Sequence, residues 1–564
     1  MDLKLDGYIS QIAFAAGLQV PLKPGDILVI IGPNNCGKSQ SLRDISGSLN
    51  DGRSGVVVKT IEFVPVTPLA EIQAWLEPYK NPGGVIQTPG SSFQSGQLAQ
   101  RWGTLGNGLG DFLHPRVVSD LSTRSRLSDC DPVSVYNRRD AFSITHPFQR
   151  FHREEMLELK ASALFRRAFK TDLVIHPFNP NAISAYAGDR PRLKMGENMR
   201  SEAYLDRIEA LPALEAQGDG MRSFVSIVGR VLAEDRPIIL IDEPEAFLHP
   251  PQARLLTDII GEEAAGRQIL LASHSSDVLQ GLLAQHSERV SVVRLSRPTQ
   301  CGSKAVLLPS VEVQTLWQDP ILRFSNVMDG LFHEAVIVTE ADADCRFYEA
   351  MAAATVPPSN LPDIHYTYSG GKDRLPVVVK ALRALDVPVV TIADFDLLNN
   401  DVTLSRIVEA HGGDWAALKP IWSVVKTGIE EKANFIAADK FKTEMAAILR
   451  DIKPRGAVDK GDLSRIKALA RNASPWDNAK HLGLKSLPHG LPTQTAKDLL
   501  RRLGEIGIFV VPVGEMEGFC DSLDGHGPRW VSEVTKRNLA EDPDLAGARQ
   551  FVADIMSHLR SNLA

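Results

Sequence analysis

The chain has 564 residues, 43% of them apolar and 23% charged, with a formal net charge of -7. That is the make-up of a globular protein of several domains, and the charge excludes a polycation that coats nucleic acid by bulk attraction. Cys36, Cys130, Cys301, Cys345 and Cys520 are scattered and never spaced C-x-x-C, which argues against a disulfide scaffold or zinc ribbon and suits a reducing cytoplasm.

The opening stretch, MDLKLDGYISQIAF, carries acidic residues and no apolar core, so a secretory signal is not expected. No run of 18 apolar residues occurs, so neither is a transmembrane helix. The first strong signal is DILVIIGPNNCGKSQSLRDI, an apolar strand over 27–31 feeding G-x-x-x-x-G-K-S and then a helical pattern. Gly32 and Gly37 let the backbone curl so that its N–H groups face phosphate oxygens. Lys38 supplies charge to the β/γ-phosphates, and the Ser39 hydroxyl suits Mg²⁺. Gly32, Asn35, Gly37, Lys38, Ser39 and Gln40 are therefore the candidate nucleotide ligands of an ATP site.

The next segments complete that site. Gln94 and Gln97 in SSFQSGQ both qualify as a glutamine that senses Mg²⁺. From about 105 to 215 the spacing exceeds what a minimal nucleotide-binding head needs. With RRD at 138–140 and FHREEMLELKASALFRRAF, this stretch reads as a helical insertion suited to dimer contact. QGDGMRSF, at 217–224, opens a helix whose N-terminus, with Gly218 and Gly220, would grip a phosphate from a second subunit; its glycines have no evident partner in their own chain. RPIILIDEPEAFLHP delivers Asp242 to a Mg²⁺ position and sets Glu243 beside it to polarise water. A third strand, over 268–272, ends in SHSSD, where His274 would sense the γ-phosphate.

These motifs, in this order, resemble the ABC-type ATPase heads of the RecF and structural-maintenance-of-chromosomes group. The resemblance implies two heads closing two ATP sites between subunits, hence a homodimer or a dimer of dimers. The loop at 217–224 departs from the LSGGQ wording of transporters, so its assignment rests on position.

After about Leu322 a fresh α/β series begins. EAVIVTE is a buried strand ending at Glu340, followed by the helical DADCRFYEAMAAA; DIHYTYS leads to GGKDR, and PVVTIADFD ends in Asp394 and Asp396. Strand–helix–strand repeats imply parallel strands whose C-terminal ends share one edge, where ligands bind. Glu340, Asp344, Asp394 and Asp396 would converge there and repel unless cations sit between them; all-oxygen ligands favour Mg²⁺ or Mn²⁺.

E-x-x-x-D, glycines after the second strand and D-x-D after the third look like a Toprim domain. An ABC-type head followed by Toprim resembles the OLD (overcoming lysogenization defect) family of ATP-dependent nucleases, which includes Gabija-type antiphage effectors. The resemblance implies Glu340, Asp344, Asp394 and Asp396 as catalytic metal site, Glu515 or Glu517 of GIFVVPVGEMEGF as a further ligand, and Lys372 on a scissile phosphate. Arg529 and Lys536 both qualify as the late basic residue of that family.

The fold class expected is thus α/β throughout: an ABC-type P-loop ATPase domain at 1–325 with its helical insertion, then a Toprim domain at 326–564 with a helical insertion at about 400–505. That second insertion carries Lys440, Lys442, Arg450, Lys453, Arg455, Lys460, Arg465, Lys467, Arg471, Lys480 and Lys485 among interspersed acids, either a solvated face or a nucleic-acid-facing one. The function expected is an ATP-binding, metal-dependent endonuclease acting on DNA, with RNA left open, in defence against phage or foreign DNA, with a partner protein or RNA also left open. An ATP-dependent DNA clamp is the alternative. A topoisomerase or primase fits less well, because neither a zinc module nor a breakage–reunion domain accompanies the acidic motifs.

Overall fold

In the computed structural model, the described residues are 4–88, 91–105, 108–137, 143–178, 181–264, 266–297, 303–320, 326–357, 359, 361–431, 436–452, 458–472 and 474–563. The RRD run, Cys301, Leu322, Lys453 and Arg455 lie outside them. The chain forms two compact units, Met1–Arg323 and Phe324–Ala564.

The first unit is built on a six-stranded sheet. Its order is Lys304–Leu308, Val290–Ser296, Ile27–Ile31, Gln268–Ala272, Ile238–Asp242 and Val118–Leu121. All neighbours run parallel except Lys304–Leu308, which pairs antiparallel. The central strands are buried along their whole length, as near-continuous Ile, Leu and Val runs require when helices cover both faces. Because Ile27–Ile31 lies beside Gln268–Ala272, and that beside Ile238–Asp242, the loops after all three open on one edge. A separate antiparallel sheet joins Gly7–Phe14 to Gln19–Pro21 and Val58–Pro65.

The stretch 105–215 is not the purely helical insertion that its charged periodicity suggests. Val118–Leu121 belongs to the central sheet, and Asp172–Ile175 pairs with Ala185–Gly188. Strands this short contain too few residues to show a period of two against the helices around them, such as Glu155–Phe169.

The second unit has four parallel strands in the order Ile364–Tyr368, Ala335–Thr339, Val389–Ala393, Ile508–Val510. Chain connections leave the adjacent first and third strands in opposite directions. That makes their C-terminal ends a topological switch point, where open α/β sheets hold ligands. The last strand is shorter than GIFVVPV suggests, because Pro512 has no N–H to extend a ladder. Residues 401–505 are helical wherever a regular element is described, from Asp401–Ala410 to Leu491–Glu505.

Candidate functional site

In the first unit the phosphate loop follows the buried Ile27–Ile31 strand and enters the helix Lys38–Asp51. Gly32, Asn35 and Gly37 all have positive φ (141°, 61° and 103°), which turns successive N–H groups toward the inside of the loop. Lys38 Nζ donates to the Gly32 and Pro33 carbonyls, each at 2.8 Å, spanning the loop mouth. The next side chain, Ser39, bonds the carboxylate of Asp242. Burial, reinforced by Glu243, raises the pKa of Asp242, and its Oδ1 accepts no hydrogen bond among the described residues. A buried oxygen lacking a donor beside a serine hydroxyl fits a hard cation. Gln40 instead bonds Asp44 at 2.7 Å. Gln94 and Gln97 are both exposed, at the start of the helix Ser95–Thr104.

Glu243 adopts a left-handed backbone, φ 49°, uncommon for a residue with a side chain. Its N–H donates to the Ala272 carbonyl at 2.8 Å, and its own carbonyl accepts from Arg126 Nη2 at 2.9 Å. His274 Nδ1 lies 3.6 Å from Glu243 Oε1 and 3.2 Å from Glu245 Oε1. Glu245 is buried and accepts from the His274 N–H (2.8 Å) and from Ser273 Oγ (2.9 Å), so it fixes the segment that carries the histidine.

Sequence reasoning missed Arg126 and Glu245. Arg126 gave no local signal, and the second glutamate of DEPE was given no role.

The helix Asp219–Ala233 begins at Gly218, around which a side chain would meet open space. Gly220 does have a partner in its own chain, contrary to expectation: a Cβ there would lie 2.6 Å from the Phe247 carbonyl oxygen. The close approach of two backbones explains that glycine without a second subunit.

In the second unit the four sheet ends gather the acidic residues. Glu340 follows Ala335–Thr339, and its carbonyl accepts the Gly370 and Gly371 N–H groups, both at 3.1 Å. Those glycines carry Lys372, whose Nζ donates to Asp396 Oδ2 at 2.8 Å. Val511 N–H donates to the Ala393 carbonyl (2.9 Å) and Phe395 N–H to that of Gly514 (2.7 Å), stitching the Asp394 turn to the loop leading to Glu515.

The ligand oxygens of Glu340, Asp394 and Asp396 lie within 4.8 Å of one another, and so do the ligand atoms of a second group, the carboxylates of Glu515 and Glu517 and a ring nitrogen of His526. Asp344 couples to both groups: the charge of Glu517 adds to its raised pKa, and its own charge adds to that of Asp394. Burial is the main cause of both shifts: Asp344 is pushed up to about 6 and Asp394 to about 8, with Glu340 adding to the latter and Lys480 opposing.

Among the described residues, Glu340 Oε1, Asp396 Oδ1 and Glu515 Oε2 are buried and accept no hydrogen bond. Such a donor set fits a hard divalent ion, Mg²⁺ or Mn²⁺.

The two late glutamates differ. Glu515 is buried and pairs with His481, whereas Glu517 accepts from Gly527 N–H at 2.6 Å and pairs with His526 at 2.8 Å. Glu517 thus anchors the turn before the helix Pro528–Val534, which carries Arg529. Lys536 is engaged with Glu533 at 2.8 Å. Tyr348, one turn beyond Asp344 on the same helix, buries a hydroxyl that lacks a hydrogen-bond partner among the described residues. Burial, and then the charges of Asp344, Asp394 and Glu517, hold that phenol neutral. His481, His526 and Tyr348 were not legible as site residues, because the fold alone brings them to the carboxylates.

Residues 139–279 match the model of a family described as "AAA domain, putative AbiEii toxin, Type IV TA system". The match spans Asp242, Glu243 and His274 but not the phosphate loop. No curated protein matches the chain. Among solved structures, an SMC head bound to the C-winged-helix domain of ScpA is 13% identical with a TM-score of 0.34, over 54% of this chain and 98% of that one. An SMC head domain from Thermotoga maritima is 12% identical with a TM-score of 0.29, over 54% and 99%. An ATP-binding cassette of an ABC transporter is 13% identical with a TM-score of 0.26, over 56% and 95%. The first unit is a mixed α/β P-loop fold of the ATPase type, and among the described residues no helix is long and apolar enough to cross a membrane.

Proposed function

We propose that the protein is an ATP-binding and ATP-hydrolysing, divalent-metal-dependent endonuclease that cuts phosphodiester bonds in DNA, through a C-terminal domain of the Toprim kind. The observation that carries this reading is the half-buried triad Glu340, Asp394 and Asp396 at a parallel-sheet switch point, where Glu340 Oε1 and Asp396 Oδ1 lack a donor among the described residues. Bound there, a divalent ion would supply Lewis-acid stabilisation of phosphate charge and a hydroxide-like nucleophile at neutral pH.

The chain's own groups do the rest. Glu340, Asp344, Asp394, Asp396 and Glu515 would hold the ions. Lys372, on a short 3₁₀ turn beside Asp396, would orient a phosphate by charge. Burial of the carboxylates raises the strength of every charge interaction in the site. In the first unit Lys38 and the loop N–H groups would bind the nucleotide phosphates, Ser39 and Asp242 its Mg²⁺, and Glu243 would take a proton from water while His274 faces the γ-phosphate. The resemblance to OLD-family nucleases supports foreign DNA as the substrate class, and that of the first unit's motifs to ABC-type heads supports a homodimer or a dimer of dimers as the working form.

The test is supercoiled plasmid incubated with Mg²⁺ or Mn²⁺, with and without ATP. Metal-dependent nicking or linearisation supports the reading. ATP-dependent retention of DNA without cutting favours a clamp instead.

A further inference from the structure

Cations in the helical stretch before the last strand mostly face other partners: Arg465 bonds Asp451 at 3.1 Å, and Lys485 lies 3.9 Å from Asp521. Lys480 is different. It sits on the helix Pro475–Leu482 with Nζ 3.4 Å from Asp394 Oδ2 and 3.8 Å from Asp396 Oδ2, and the next residue, His481, pairs with Glu515.

This placement is built into the backbone. A Cβ on Gly514 would lie 2.2 Å from the Lys480 carbonyl oxygen, and one on Gly483 would lie 2.2 Å from that of Pro512. Leu484 N–H donates to the Pro512 carbonyl at 2.9 Å, while Phe395 N–H holds Gly514 from the other side at 2.7 Å. The loop 511–514 is thereby gripped between the Asp394 turn and this helix. The base of the Lys480 side chain is fixed, yet the side chain is 35% exposed, so its ammonium has room to swing.

We propose that Lys480 is a resident cation of the acidic site: it neutralises the Asp394/Asp396 pair before a divalent ion arrives and yields Asp394 to that ion, which makes the helix Pro475–Leu482 a wall of the site. The inference rests on the metal-site reading above. An ammonium is a compact point charge on a flexible stem, so it serves equally as a carboxylate partner and as a movable one. Carboxylates this close repel unless a cation lies among them, and a bound divalent ion repels the ammonium that held them. Lys372 cannot substitute fully, since its bond goes to Asp396 alone.

The test measures Mn²⁺ binding by titration calorimetry without nucleotide, together with the metal-free melting temperature. It uses the full chain as wild type, Lys480→Gln, Lys480→Met, Lys480→Arg, Lys485→Gln and Asp394→Ala. Removing the charge should lower the metal-free melting temperature yet tighten Mn²⁺ binding about tenfold, because the ion no longer competes with an ammonium. Lys480→Arg should restore wild-type behaviour, and Lys485→Gln should match wild type. A helix that merely packs would lower the melting temperature and leave Mn²⁺ affinity unchanged or weaker, and that result in both charge-removing variants overturns the proposal. If wild type shows no Mn²⁺ binding that Asp394→Ala removes, the metal-site reading falls and this one with it.

Discussion

Arg126 donates through Nη2 to the backbone carbonyl of Glu243 at 2.9 Å while remaining fully buried. Its Nε and Nη1 have no hydrogen-bond partner among the described residues. The left-handed backbone of Glu243 costs on the order of 1–3 kcal/mol and persists only where surroundings enforce it. Arg126 is one of the two enforcers, the other being the Ala272 carbonyl. Arg126→Met keeps the volume and removes that hold, so ATP turnover should fall about tenfold or more as the glutamate loses its angle to water. Nucleotide affinity should stay within about twofold, since the phosphate loop is untouched. Single-turnover hydrolysis alongside a fluorescent-nucleotide titration separates the two, and unchanged turnover would remove the positioning role.

Lys38→Ala should abolish nucleotide binding, because the phosphates lose their mobile counter-cation. Glu243→Gln should bind ATP with near wild-type affinity and hydrolyse it at least about a hundredfold more slowly, keeping shape and losing the base. The ATP site would be misassigned if Glu243→Gln turned over normally.

Much of this site was legible because its chemistry is local. A phosphate loop is one contiguous turn, and a D-x-D pair ends one buried strand, so short windows reveal both. Arg126, Glu245, Lys480 and His526 reach their partners only through sheet order and helix placement, which no window contains. Lys480 read as one more charge in a basic helical stretch because charge composition carries no direction. Val118–Leu121 was absorbed into an expected helical insertion since four residues show no period.

The homodimer expected from the ATPase motifs no longer draws on Gly220, which Phe247 explains. Gly218 still leaves the N-terminus of Asp219–Ala233 open to an approaching phosphate. Light scattering of Glu243→Gln with ATP should give twice the monomer mass, whereas monomer with and without ATP would end the two-headed arrangement.

His411 is buried, with Nε2 2.8 Å from Thr391 Oγ1 on the third strand of the second sheet. Burial, then the charge of Arg383, holds its pKa down to about 3. An unfolded histidine titrates near 6.5, so below that pH the unfolded chain binds a proton that the folded one refuses. Stability is fully present above about pH 6.5 and falls by about 1.4 kcal/mol per pH unit toward about pH 3 from this group alone. His411→Gln should flatten that acid limb. Hydrogen exchange of the Val389–Ala393 amides at pH 5 and pH 7 reads it locally, and equal pH sensitivity in both proteins would assign the limb elsewhere.

Asp394→Ala or Asp396→Ala should eliminate DNA cleavage and leave ATP hydrolysis within about twofold, because each removes an oxygen donor from a set that cannot hold two ions with what remains. Folding should survive. Burial and then the charges of Glu340, Asp344 and Asp396 disfavour the Asp394 carboxylate that Lys480 holds in the metal-free fold, so its removal takes away that cost. That relief is partial, since Lys480 then keeps only Asp396. EDTA should reproduce the mutants on the wild type, and Mn²⁺ should support cleavage at least as well as Mg²⁺, being less demanding of octahedral geometry. Wild type and Asp394→Ala, assayed on one plasmid preparation with ATP turnover followed in the same tubes, decide the matter. Equal cutting by both would reduce Asp394 and Asp396 to the start of a loop.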